Sequence, residues 1–402
     1  MSKVPELVVP THLKIKLTQG HPWVYRSHLP DAPSLASGTW VRVRSGGFSA
    51  YGLWDARSPI AVRLFARDRA PNRAWLAARV QAAWQRRAPL RDTDTTAYRW
   101  LFGEGDGVPG VTVDLYGDFA VVATYADAVQ VLVPWVVDAL REIAPLKGIL
   151  LRQRRGDFGP ADGGDHDAAA RGGVQRLWGA PPPRDLTIRE NGLTFLANLS
   201  HGQKTGLFLD QRDNRRTLEG WCAGRTVLNC FAYTGGFSVY AARGGAVHVT
   251  SVDIAADAIG DAQLNFERNG LDPRDHSFAV ADVFEYLTRA RDAGRAFDVV
   301  ILDPPSFARA KSSQHAALRA YARLNALGMQ VTRPGGLLAT ASCTSQVSPD
   351  AFRDALAQAG ASVDRRLLIL HEVGQPLDHP VPAHFPEGRY LKFVMGEVVR
   401  EA

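Results

Sequence analysis

Cys343, Asp303 and Asp253 are the residues whose type and setting could do chemistry. Cys343 follows the apolar run Leu337 to Ala341, just beyond the turn Pro334-Gly335-Gly336. A thiolate is a strong nucleophile, and its addition to C6 of a pyrimidine makes C5 enamine-like. That carbon can then attack an electrophilic methyl group, and β-elimination of the thiol restores the ring. Asp303 opens the run Asp303-Pro304-Pro305-Ser306-Phe307. The paired prolines stiffen the backbone and remove two amide donors, so an acid before them is held rigidly against a flat substrate. Its carboxyl would favour the addition from a position near N3 and the exocyclic amine. Cys222 and Cys230 read instead as small buried hydrophobes. Cys230, inside an apolar strand, is the chief rival nucleophile.

A methyl donor needs its own site, and the stretch Val227 to Asp253 supplies one. Val227 to Phe231 reads as a buried strand, Thr234-Gly235-Gly236 as a tight turn, Phe237 to Ala242 as a helix and Val247 to Val252 as a second strand. Asp253 lies eighteen residues beyond Gly235, where its carboxylate can accept bonds from both hydroxyls of a ribose. A dinucleotide fingerprint would carry a third glycine for a pyrophosphate. This turn is crowded by Phe231 and Tyr233, which suits a cofactor without pyrophosphate, such as S-adenosylmethionine. The strand Phe278 to Val280 leads to Asp282, which could accept a bond from an adenine amine, cap the helix Val283 to Arg291, or do both. The polar stretch His201 to Arg212 fits equally a lid over the cofactor or an N-capping loop.

These groups are positioned by an α/β domain. Helices are expected over Ala255 to Asn269, Ala316 to Val331 and the segment after Ser348-Pro349, with strands at Phe297 to Leu302, Leu337 to Ala341, Leu367 to Leu370 and Arg389 to Val398. Open α/β sheets bind ligands beyond the carboxyl ends of their strands. Asp253, Asp282, Asp303 and Cys343 all occupy such ends.

The chain has 402 residues, 46% hydrophobic and 22% charged, which predicts two or three soluble domains. No apolar run reaches the ~18 residues of a membrane span, and the N-terminus lacks a signal-peptide core. Three cysteines form neither a disulfide framework nor a zinc spacing. The expectation is a reduced, cytoplasmic protein with no membrane partner. Residues 1–70 hold ten Lys/Arg against four Asp/Glu, so the whole net charge of +6 sits there and points to a polyanion. Short β-like runs (Thr39 to Val43, Ile60 to Phe65) surround Gly20-His21-Pro22-Trp23, close to Lys14 and Lys16. This segment resembles a PUA domain, a small β-barrel attached to RNA-modifying enzymes, with Lys14, Lys16 and Trp23 as candidate RNA contacts, though an aromatic such as Trp23 or Tyr25 in a small β domain is more often core. Residues 71–185 read as a connector helix (Asn72 to Arg91) and a central α+β domain. The stretch Arg154 to Arg184 reads as a mobile loop and a Pro-rich linker. Residues 186–402 form the last domain. The acidic turn Gly103 to Gly110 lacks calcium-loop spacing and reads as structural.

Taken jointly, Asn229 to Phe237, Lys204-Thr205-Gly206 with Asp210-Gln211-Arg212, Asp303 to Phe307, Ser342-Cys343, Asp378-His379-Pro380 and Pro386-Glu387-Gly388 resemble the ribosomal RNA large-subunit methyltransferase I family over nearly the whole chain. The resemblance implies a class I, Rossmann-like methyltransferase fold making 5-methylcytosine in large-subunit ribosomal RNA. It implies cofactor contacts at Phe231, Tyr233, Gly235, Asp253, Asp282 and Asp303, with Lys204 and Asp210 bordering the pocket and Cys343 as nucleophile. Ser306 and Phe307 then face the target RNA, Ser306 standing where close relatives carry Lys. Free RNA and an assembly intermediate remain alternative substrates, and a homodimer remains open. The rival readings are methylation of a purine nitrogen, which needs no thiol, and a non-catalytic RNA-binding or ribosome-assembly protein.

Overall fold

A computed structural model describes residues 4–29, 33–153, 174–199, 207–307 and 313–400. The chain forms two compact units. One comprises Met1–Leu186, Asn198–Gly206 and Leu377–Arg389, the other Thr187–Ala197, Leu207–Pro376 and Tyr390–Ala402.

The first unit contains two five-stranded sheets. Strands β1 (Glu6–Val8), β2 (Trp23–Tyr25), β3 (Trp40–Ser45), β4 (Phe48–Trp54) and β5 (Ile60–Ala66) lie in the order β1-β3-β4-β5-β2. Strand β3 shows why the basic segment folds. Val41 and Val43 point into the core while Arg42 and Arg44 are exposed, the alternation of a half-buried strand. A short helix, α1 (Lys14–Thr18), carries Lys14 and Lys16. The second sheet joins β6 (Ala97–Phe102), β7 (Val111–Tyr116), β8 (Phe119–Thr124), β9 (Gly148–Gln153) and β10 (Val174–Gly179) in the order β10-β9-β8-β7-β6. Helix α2 (Arg73–Arg86) starts where the Asn72 side chain accepts the Trp75 N–H. It buries Leu76, Val80 and Ala83 in one core with Trp100 and with Val136 and Leu140 of α3 (Val133–Ile143). The acidic turn after β6 is structural: Asp106 is buried and receives both Nη atoms of the equally buried Arg87 at 2.7 Å.

One expectation is corrected here. Val174–Gly179, read from sequence as part of a loop and linker, is an edge strand antiparallel to β9. Its backbone pairing, unlike its Gly-rich surroundings, is a long-range property.

In the second unit, β11 (Thr187–Glu190) and β12 (Leu193–Leu196) form a hairpin, followed by α4 (Arg212–Glu219). The seven-stranded sheet has the order β15-β14-β13-β16-β17-β19-β18, built from β13 (Thr226–Cys230), β14 (His248–Asp253), β15 (Ser277–Val280), β16 (Phe297–Leu302), β17 (Thr332–Ser342), β18 (Arg365–Val373) and β19 (Lys392–Arg400). The first five strands in that order are parallel, β19 is antiparallel to β17, and β18 is antiparallel to β19. Helices α5 (Gly236–Arg243), α6 (Ala256–Arg268), α7 (Val283–Asp292), α8 (Gln314–Val331) and α9 (Pro349–Ala361) connect the strands. Ser348 caps α9 by accepting the Ala351 N–H at 3.1 Å. Val299, Val300, Ile301 and Leu302 are all fully buried, as a central parallel strand covered on both faces requires. Helix α8 sits close on the sheet at Gly328, where a Cβ would lie 2.8 Å from Leu302 Cδ1. No helix among the described residues is long and apolar enough to cross a membrane.

The sheet order places the site. From β13 the chain runs outward to β14 and β15, then returns to β16 on the other side of β13. That reversal opens a crevice beyond the carboxyl ends of β13 and β16. In the register, Cys230 pairs with Val252 and with Leu302, and Leu302 pairs with Thr340. One residue further on, Phe231, Asp253, Asp303 and Ala341 therefore form a single row across the sheet edge.

Candidate active site

The loop from β13 to α5 is held in an unfavourable conformation. Phe231 and Tyr233 have φ of 60° and 48°, and Gly235 has φ of 77°. Left-handed backbone at non-glycine residues costs ~1–3 kcal/mol each and persists only where surrounding bonds over-determine it. Those bonds are present. Asp253 Oδ2 accepts the Tyr233 N–H at 2.8 Å, and Asn265 Nδ2 donates to the Thr234 carbonyl at 2.8 Å. Beneath them Asn229 Nδ2 donates to Ser238 Oγ at 2.9 Å, and Ser238 contacts Ser251 Oγ at 2.7 Å. Gly235 is required twice, by its φ and because an added Cβ would meet Ala262 Cβ at 2.9 Å.

Asp253 also accepts the Ala255 N–H at 2.9 Å through Oδ1. Each oxygen keeps lone-pair capacity for a further donor. Next to it Ile254 is 71% exposed, and Val280, paired with Asp253 in the register, is 55% exposed. Two bare apolar side chains beside a carboxylate fit a purine ring joined to a ribose. The Thr234 hydroxyl is buried without a protein partner, a polar group that such a ligand could satisfy. Asp282 caps α7, accepting the Glu285 N–H at 3.0 Å, so the capping alternative is the one seen in the backbone geometry.

On the other side of the crevice, Asp303 accepts a bond from Gln211 Nε2 at 2.9 Å. Gln211 is 2% exposed, and its own carbonyl oxygen accepts from Asn214 Nδ2. Asp210 accepts the Tyr390 hydroxyl at 2.6 Å. Pro304 is buried and Pro305 exposed; Ser306 and Phe307 are half-buried. The Phe307 ring packs 4.8 Å from that of Tyr321 and 6.4 Å from that of Phe284, so much of its surface supports the turn. Lys204 lies outside the described residues.

Cys343 is the first residue beyond β17 and is partly exposed. Its rivals are enclosed: burial pushes the Cys222 thiol up to about 12 and the Cys230 thiol higher still. A thiol that keeps its proton is a poor nucleophile. The phenol of Tyr321, buried in α8, is raised chiefly by burial and further by Cys343 and Asp303. Cys343 follows the end of β17 and Asp303 the end of β16, two strands paired side by side in the sheet.

Of the candidate RNA contacts, Lys14 and Lys16 are exposed, Lys16 with its ammonium 3.4 Å from Glu387. Trp23 takes the core position that was the other reading of this aromatic. It is 4% exposed, its indole N–H donates to Glu104 at 2.9 Å, and Phe385 packs edge-on at 4.6 Å. A ring so enclosed has no face for a base. The segment 377–389 that covers it is anchored by Asp378, which accepts the Arg99 N–H at 2.8 Å while its carbonyl accepts from Arg87 at 2.7 Å.

The sequence placed Gln211 only within the polar stretch His201 to Arg212, and gave no role to Ile254, Asn265, Tyr390 or Lys392. Lys392 did carry a signal: a lysine inside the apolar run Leu391-Lys392-Phe393-Val394 is out of place in a buried strand.

Known proteins resemble this chain over most of its length. A model for S-adenosylmethionine-dependent methyltransferases matches residues 170–380, and one for a PUA-like domain matches residues 9–67. The chain is 39% identical to a ribosomal RNA large subunit methyltransferase of Deinococcus radiodurans, over 95% of this chain and 94% of the relative. It is 35% identical to ribosomal RNA large subunit methyltransferase I of Klebsiella pneumoniae strain 342, over 97% and 98%. Among solved structures, a putative methyltransferase complexed with SAH (S-adenosylhomocysteine) superposes with a TM-score of 0.86 at 28% identity, covering 98% of this chain and 100% of the other. A putative S-adenosylmethionine-dependent methyltransferase from Streptococcus mutans gives 0.84 at 26% identity, again over 98% and 100%.

Proposed function

The chain belongs to the large-subunit ribosomal RNA methyltransferases, enzymes that use S-adenosylmethionine, and from that premise we propose that its product is 5-methylcytosine, formed through a covalent adduct of Cys343. The observation that carries this reading is the contrast among the cysteines: Cys343 alone is partly exposed, at the end of the strand paired with the one that runs into Asp303, while Cys222 and Cys230 are buried.

In this reading the row at the sheet edge divides the labour. Asp253 accepts from the ribose hydroxyls, Ile254 and Val280 flank the adenine, and Asp282 accepts from its amine. Phe231, Tyr233 and Gly235 present their strained backbone to the cofactor, with Asp210 at the border of the pocket. The bound cofactor supplies an electrophilic methyl group. Cys343 adds as thiolate to C6 of the cytosine, while Asp303, oriented by Gln211, accepts from the amine and relays a proton from solvent to N3, which neutralises the electron pair displaced onto the ring; that proton leaves again when the ring is restored. After C5 has gained the methyl group, loss of the C5 proton expels the thiolate and restores the ring. Lys14, Lys16 and Ser306 contact the RNA; Trp23 and Phe307 shape the surfaces that do so.

Replacing Cys343 by Ala tests the reading. The expected result is loss of 5-methylcytosine from the RNA, measured by nucleoside mass spectrometry, with S-adenosylmethionine binding retained in calorimetry. Turnover persisting in the variant, or a methyl group found on a purine nitrogen, refutes it.

A further inference from the structure

The backbone just after the nucleophile candidate is held by a buried cation from the neighbouring strand. Lys392 opens β19 and pairs in the antiparallel register with Ser342, the residue before Cys343. It is 1% exposed, and its ammonium donates to the Thr344 carbonyl and, at 2.9 Å, to the Tyr390 carbonyl. Removing an ammonium from water is costly. The flanking residues Leu391 and Phe393 are buried and apolar, so packing of the strand alone does not call for a charge there. The position of that charge is specific: it grips the carbonyl one residue past Cys343. Tyr390, gripped at the same time, sends its hydroxyl to Asp210, and the adjoining Gln211 donates to Asp303. A continuous set of bonds thus runs from the backbone after the thiol, through Lys392 and Tyr390, to the acid on the neighbouring strand end.

We propose that Lys392 is a positioning residue for Cys343, fixing the backbone that follows the thiol and favouring its thiolate form by charge. The inference rests on Cys343 being the nucleophile. The groups gathered around that strand end are Asp303 beyond β16, Asp210 before α4, the phenol of Tyr321 on α8 and Lys392 on β19. Both carboxylates oppose a thiolate, and burial keeps the phenol neutral. The ammonium acts in the opposite direction, and a cation close to a thiol lowers its pKa.

The test is the pH dependence of Cys343 alkylation by iodoacetamide, followed by peptide mass spectrometry in the full-length protein and in Lys392→Met. The wild-type midpoint is expected below the ~8.5 of an ordinary thiol. In Lys392→Met the midpoint should rise by about one pH unit, making alkylation near pH 7 roughly tenfold slower. Lys392→Arg should recover most of the rate, which a purely structural role would not require. Superimposable profiles for wild type and Lys392→Met overturn the inference. So does a wild-type midpoint at or above ~8.5, a measurement that decides the matter even if the Met variant does not fold. Methylation by Cys343→Ala is scored separately: its persistence sinks the nucleophile assignment, whereas an unchanged alkylation profile sinks only the role of Lys392.

Discussion

Glycines 235 and 260 lie in neighbouring elements of the same domain, and alanine at each should move stability in opposite directions. Gly235 has φ of +77°, and a Cβ there would stand 2.9 Å from Ala262 Cβ and 3.3 Å from Ala262 Cα. Left-handed backbone costs alanine ~1–2 kcal/mol, and forcing a methyl group into a packed contact adds ~1–3 kcal/mol. The domain must then lose about 2–5 kcal/mol, unless the loop moves away from α6. Movement would break the bonds from Asp253 and Asn265 that hold Tyr233 and Thr234. The same energy would then appear as weaker cofactor binding, about 3 kcal/mol being more than a hundredfold in Kd. Gly260, inside α6, has no atom within 4 Å of its added Cβ and no positive φ. Alanine there should stabilise by ~0.5–1 kcal/mol, because glycine loses more chain entropy in a helix. Urea denaturation gives the stability and calorimetry with S-adenosylmethionine gives Kd. Wild-type values of both for Gly235→Ala would refute the reasoning, since neither the core nor the loop would have registered the added methyl group.

Gln211→Ala removes the donor to Asp303; at ~1.5–3 kcal/mol for a bond to a charged group, RNA methylation should fall roughly 10- to 100-fold, and unchanged kcat/KM would count against Asp303 as an oriented acid. Asp253→Ala leaves the Tyr233 and Ala255 amides without their acceptor, so calorimetry should show S-adenosylmethionine affinity lowered by roughly tenfold or more. The Glu387 carboxyl is held at about 2, first by its bond to His21 and further by Lys16. A folded value below the unfolded 4.5 contributes stability that is present above that pH and lost as pH falls through about 2. Glu387→Gln should therefore be less stable than wild type at neutral pH, with the gap closing as the acid range is crossed in urea titrations; a gap that does not change with pH would remove the carboxylate from the explanation.

The strand-end acids were legible in the sequence because parallel strands buried on both faces are written as unbroken apolar runs. Val299 to Leu302 ends directly on Asp303, and the glycine turn with an acid eighteen residues on marked β13 and β14 without knowledge of any contact. The same reasoning failed at Val174–Gly179, where strand character comes from pairing with β9 and the local residues are of mixed polarity. It left two readings open for Trp23 because the groups that enclose that ring, Glu104 and Phe385, lie far along the chain.

Residue type and spacing alone determined which chemistry was available: a thiol, a proline-stiffened acid and an acid eighteen residues past a glycine turn, each at the end of an apolar run. Tertiary structure alone decided which thiol is accessible, that Gln211 orients Asp303, and that Lys392 grips the backbone after Cys343. The physical reason is range. Apolar periodicity and turn residues act within a few positions of the chain, whereas burial, desolvation and hydrogen bonding depend on partners that only the folded sheet brings together.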